Sequence, residues 1–172
     1  MKTIGFWPAE YDEYGPPEFL IDGRLTENQK QKIIDYLDAG EKFVGWLGYS
    51  SCRFRCGTPD RQMGASDLTD GEWLWPEGFS HYVKAHSIGL PPEFISHMEQ
   101  RDYNSKVPQS LRANLDQWIA DFFTNDLLYD GKIWRQWLRQ KGEQAFLAGE
   151  KVGRRKPVFS TDASIRIPDI FE

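Results

Sequence analysis

At 172 residues and 20.0 kDa the chain is long enough to bury a core as one domain without disulfide staples. Its 40% hydrophobic and 27% charged residues exclude a disordered chain, and 7 Trp, 7 Tyr and 11 Phe point to an aromatic core. The net charge of -5 argues against nucleic-acid binding, which needs a basic surface, and is compatible with a basic protein partner.

The charge is uneven, with five Lys/Arg against nine Asp/Glu in residues 1–50. The N-terminal residues contain no signal-like apolar run, and no stretch approaches about 18 apolar residues. A cytoplasmic location with both cysteines reduced and no membrane contact is therefore expected.

Residues 1–24, rich in Pro, Gly and acids, read as an extended arm. Thr26 and Gln29 have capping-box spacing ahead of the helical stripe Ile33, Ile34, Leu37, and Gly40 reads as a left-handed stop. Residues 42–56, KFVGWLGYSSCRFRC, read as a strand by their aromatic and β-branched content. Asp70-Gly71 offers a hairpin turn before a short strand over 72–75. Pro76, Pro92 and Pro108 suit helix starts, the last leading into the periodic Leu111, Leu115, Trp118, Ile119 and Phe122. Ile133, Trp134, Trp137 and Leu138 open a further helix to about Ala148. Residues 149–172 read as an irregular tail with a basic cluster at 149–159 and one strand at 164–167. The expected fold is a single α+β domain. A small antiparallel sheet of about three strands over 42–76 packs with four to five helices, and 76–148 is mainly helical.

No phosphate loop, dinucleotide fingerprint, zinc-protease helix or nucleophile elbow occurs. Cys52, Cys56, His81 and His86 supply donors for a zinc ion. On a strand, however, the cysteines would stand about 13 Å apart. Five residues on a helix separate the two histidines by about 140°. On that reading the thiols are small buried hydrophobes, and no metal or cofactor is expected.

The same alternation puts Ser51, Arg53 and Arg55 on the opposite face, where guanidinium forks suit an anion. Asp70 and His81 complete the anion-binding candidates. Trp73 and Trp75, sharing a strand face, are the partner-binding candidates.

The segment over about 43–98, a third of the chain, resembles a group of bacterial proteins of uncharacterised activity. The residues carrying the resemblance are Cys52-Arg53 and Cys56-Gly57, then Thr69-Asp70-Gly71, Trp75-Pro76-Glu77-Gly78 and His81-Tyr82-Val83. The resemblance implies a bacterial source and a shared fold, and no activity.

The function expected is that of a non-catalytic cytosolic binding protein, such as an immunity or antitoxin-like factor masking a basic protein. The alternatives are a small enzyme or ligand sensor with an anion pocket near Arg53, Arg55 and His81, and a structural zinc-binding protein.

Overall fold

A computed structural model describes residues 1–7, 17–122 and 130–147. The expected strand at 164–167 and the basic cluster at 149–159 lie outside the described residues. Helix α1 (Glu27–Asp38) begins where its capping box places it. The Thr26 hydroxyl accepts from the Gln29 amide, and the Gln29 side chain accepts from the Thr26 amide. Its stop differs from expectation. Ala39 caps the helix with φ -90°, and its N–H bonds to the Asp35 carbonyl. Gly40 serves close packing instead, since a Cβ there would fall 2.5 Å from Trp75 Cζ2.

Four strands form one mixed sheet: β1 (Lys2–Thr3), β2 (Glu41–Gly45), β3 (Ser66–Thr69) and β4 (Trp73–Pro76), in the order β1-β4-β3-β2. The β2–β3 and β3–β4 pairs are antiparallel, and β1 joins β4 in parallel. The Asp70-Gly71 turn closes the β3–β4 hairpin with Gly71 at φ +95°, a conformation open to glycine without steric cost. Four helices follow: α2 (Phe79–His86), α3 (Pro92–Gln100), α4 (Gln109–Phe122) and α5 (Lys132–Leu147). The α+β class with a helical C-terminal half is as the sequence implies. Pro76 ends β4 rather than opening α2, which starts at Phe79. None of the described helices is long and apolar enough to cross a membrane.

Alternation along β4 distributes the core. Trp73 and Trp75 enter the larger cluster with Ile33 and Leu37 of α1, Phe79 and Val83 of α2, Phe94 of α3 and Trp134 of α5. Leu74 faces the other way, onto Phe43, Val107 and Leu115 of α4. At 1% and 0% exposure, Trp73 and Trp75 are core residues rather than partner anchors. The Trp75 indole N–H also donates to the Leu37 carbonyl at 3.1 Å, so its one polar atom is satisfied inside the core.

The strand expected over 42–56 ends at Gly45. From Trp46 to Gly57 the chain forms a loop whose first part is bonded to residues 64–67 and whose 51–56 part lies on α2. A turn closes at its centre, where the Arg55 amide donates to the Cys52 carbonyl at 2.9 Å. Arg55 (φ +52°) and Gly57 (φ +82°) both take the left-handed conformation, which no strand accommodates.

Candidate metal centre

That turn reverses the expected relation of the two cysteines. Cys52 and Cys56 do not alternate along a strand but fold toward one another. Two contacts with α2 hold the intervening Arg53-Phe54. The Arg53 amide donates to the Tyr82 hydroxyl at 3.1 Å. The Phe54 ring stacks on His86 at 4.0 Å between centroids and 4° between planes. The Arg-Phe-Arg filler thus turns because an aromatic helix face receives it, without the residue types that make turns on their own.

The histidines converge as well. Their Cα positions diverge around the helix, yet the imidazoles meet, with Nε2 to Nε2 at 3.2 Å. His86 is the last residue of α2, and helical side chains lean toward the N-terminus, over the preceding turn that carries His81. Cys52 Sγ lies 3.3 Å from His86 Nε2, and Cys56 Sγ lies 3.4 Å from His81 Nε2. All four ligand atoms fall within 4.8 Å of one another. A tetrahedral ion with bonds of about 2.3 Å to sulfur and about 2.0 Å to nitrogen sets sulfur–nitrogen separations of about 3.5 Å and nitrogen–nitrogen separations of about 3.3 Å. The observed distances match within a few tenths of an ångström. This Cys2His2 cluster can hold a metal ion, and both geometric grounds for setting these residues aside fall, the first with the strand and the second with the meeting of the two imidazoles.

The protonation environment is graded across the cluster. Burial leads the lowering of both histidine pKa values and so favours the neutral ring with a lone pair to offer; at His81 repulsion between the two rings when protonated, and the Lys84 charge, act in the same direction. Burial raises the Cys52 thiol, whereas the Thr58 hydroxyl, 3.1 Å from Cys56 Sγ, leads the groups that lower the Cys56 thiol. Cys52 is buried and Cys56 exposed, so the centre has one inner and one outer thiol.

The anion-binding candidates disperse. Ser51, Arg53 and Arg55 share no strand face, and Arg53 and Arg55 are exposed. Asp70, wholly buried, belongs to a different network with Tyr36 and His97. His81 does border a cavity of about 460 Å³ beside the start of α2, but its cations are Lys42 and Lys84 rather than the arginines, and Glu77 and Asp38 also line it. Lys42 lies 3.8 Å from Glu77 there. The exposed aromatics that sequence reasoning missed are Trp46 and Tyr49, in the same loop as the two cysteines.

No protein-family model matches the chain, and no solved structure matches its fold.

Proposed function

We propose that this is a zinc-binding protein whose single Cys2His2 centre is structural and fixes the 46–62 loop onto α2. One observation carries the reading: four thiol and imidazole atoms from two distant segments lie within 4.8 Å of each other. The donor set of two sulfurs and two nitrogens favours zinc over the hard cations, which seek oxygen. The spacing agrees, with three residues between the cysteines and four between the histidines, both inside the ranges of structural zinc sites. Four protein ligands fill a tetrahedral shell and leave no position for a catalytic water. The protein acts, on this reading, as a binding module and not through the metal's chemistry.

Elemental analysis of protein purified without added metal tests the proposal. One zinc per chain is expected. Cobalt substitution should add visible bands and thiolate charge-transfer absorption of tetrahedral S2N2 ligation. A folded, metal-free protein that takes up neither ion at micromolar concentration would end the proposal.

A further inference from the structure

Residues 45–57, GWLGYSSCRFRCG, contain no Lys, Asp or Glu. They consist of Gly, Ser, Trp, Tyr, Leu, Phe, Arg and Cys. Apart from the cysteines, these include the types that recognition loops use: rigid aromatic anchors, Arg at hot spots, and small polar spacers. The loop also carries the most conspicuous apolar exposure among the described residues. Leu47 is 112% exposed, Tyr49 63% and Trp46 50%. A large aliphatic side chain protruding beside two aromatics is what a soluble surface usually avoids.

The loop is held, not loose. The Trp46 amide donates to the Ala65 carbonyl at 2.7 Å, and the Ser50 amide to the Gly64 carbonyl at 3.0 Å. The Ala65 amide in turn donates to Glu77, and the Trp46 indole to the buried Asp67, each at 3.0 Å. Gly64, at φ +75°, packs where a Cβ would meet Glu77 at 2.5 Å. An apex fixed before binding loses little conformational freedom on binding.

Charge decides the partner. Arg53, Arg55 and Arg61 are exposed and make no ion pair with any described residue, and Asp60 is the one acid between Gly45 and Gln62. This arginine-rich lobe stands out from a chain of net charge -5. An aliphatic apex gives nothing to nucleic-acid stacking, and the Gly/Ser-spaced, lysine-free composition is that of a protein-recognition loop rather than of a lipid-binding segment. We infer that the 46–61 lobe docks an acidic protein segment, which receives Leu47 in an apolar pocket between Trp46 and Tyr49 and pairs its carboxylates with Arg53, Arg55 and Arg61. The sign is opposite to that expected from net charge alone. The inference goes beyond the zinc proposal and rests on it in part, because the centre positions Arg53 and Arg55 while the 46–50 apex is pinned independently.

The test is selection of a random peptide library, displayed on phage, against the immobilised full-length protein. The strongest binders are then resynthesised for fluorescence anisotropy. The expected peptides combine Asp/Glu with large apolar residues. Their affinity should fall at least about tenfold with Leu47→Ser and with the Arg53→Glu/Arg55→Glu pair, and should weaken as salt rises. Metal content and melting temperature of the same samples confirm that each variant is folded, and they report on the zinc proposal separately. The inference is overturned if no peptide is selected, if selected peptides lack acidic residues, or if Leu47→Ser leaves their binding unchanged. It is also overturned if vesicles of phosphatidylcholine with phosphatidylserine, or a 20-nucleotide oligothymidine, bind in place of acidic peptides with the same sensitivity to these substitutions.

Discussion

Two clusters in this molecule bring histidine together with acidic groups, and they are built on opposite principles. Around Asp70 every acceptor meets a donor. One carboxylate oxygen takes the Glu72 and Trp73 amides, both at 2.8 Å, and the other takes the Tyr36 hydroxyl and lies 2.7 Å from His97 Nε2. Burial pushes the Asp70 pKa up, but hydrogen bonds from His97, Trp73 and Tyr36 outweigh it and hold the carboxyl below the usual range. Tyr36 is pushed well up by its burial and by the Asp70 charge. Such a network locks the β3–β4 turn to α1 and α3 and needs nothing from outside. At Cys52, Cys56, His81 and His86 four lone-pair donors instead face one another across 3–5 Å. That arrangement has too few protons to satisfy itself once the thiols ionise, and a cation would complete it. The identity of the residues is less informative than whether donors and acceptors balance.

The largest expected effect comes from breaking the unbalanced cluster. Cys52→Ala removes the inner thiol, leaving three ligands and a small void against α2. Zinc content should fall from one per chain to near zero, and amide exchange should rise across 46–62. The sheet should keep its protection, because the apolar cluster supports it without the ion. If unfolding is instead global, the centre is part of the core and not a clamp on one loop.

The balanced cluster should respond in the other currency. Asp70→Ala leaves the Tyr36 hydroxyl and two backbone amides without their acceptor inside the protein. The cost should be about 3–5 kcal/mol. A fall in melting temperature of about 10 °C is the corresponding readout for a chain of this size. Zinc stoichiometry should not change. A joint loss of metal and stability would show the two clusters to be coupled through α2 and α3.

How much of this contrast the sequence disclosed depends on range. Helix α1 was legible because its capping box and stripe lie within a dozen residues, and so was α3 behind Pro92. The four zinc donors were equally visible, but the strand reading of 42–56 and the angle between the histidines spoke against them. What turns that segment is non-local: Phe54 rests on a ring 32 positions away, and Arg53 is held by Tyr82. Local composition, rich in aromatic residues, speaks only for extended chain there. The 140° separation of His81 and His86 was sound for Cα positions and failed because imidazoles reach across a turn. The β1–β4 pairing, joining residues 2–3 to 73–74, left no local mark either.

Asp67 gives a smaller effect, intermediate between the two principles. Its carboxyl is buried, has one hydrogen-bonding partner in the Trp46 indole at 3.0 Å, and is raised by burial from 3.8 to about 6. A folded-state pKa above the unfolded one means that the native state binds the proton more tightly. Stability should fall as pH climbs from about 4 through 6, and the cost is complete above that. A shift of this size corresponds to an upper bound of about 3 kcal/mol. Asp67→Asn should therefore raise stability at pH 8 by about 1–2 kcal/mol and make no difference near pH 4, as urea unfolding at the two pH values would show. Equal effects at both would mean that the carboxylate is already compensated.

The finest test bears on the outer thiol. The Thr58 hydroxyl lies 3.1 Å from Cys56 Sγ, where it can donate to a thiolate and orient it. Thr58→Val keeps the shape and removes the donor, so the four ligands remain while one loses its support. Zinc affinity should drop about tenfold, near the low end for such second-layer contacts, with stoichiometry still one at saturating metal. Competition with a chromophoric chelator reads this directly. Thr58 also borders the cavity shared with His81, Lys42 and Lys84, so the same substitution would alter any ligand bound there. A change in affinity with an unchanged cobalt spectrum would assign the hydroxyl to thiolate stabilisation. A shifted spectrum would show that it sets the position of Cys56 itself.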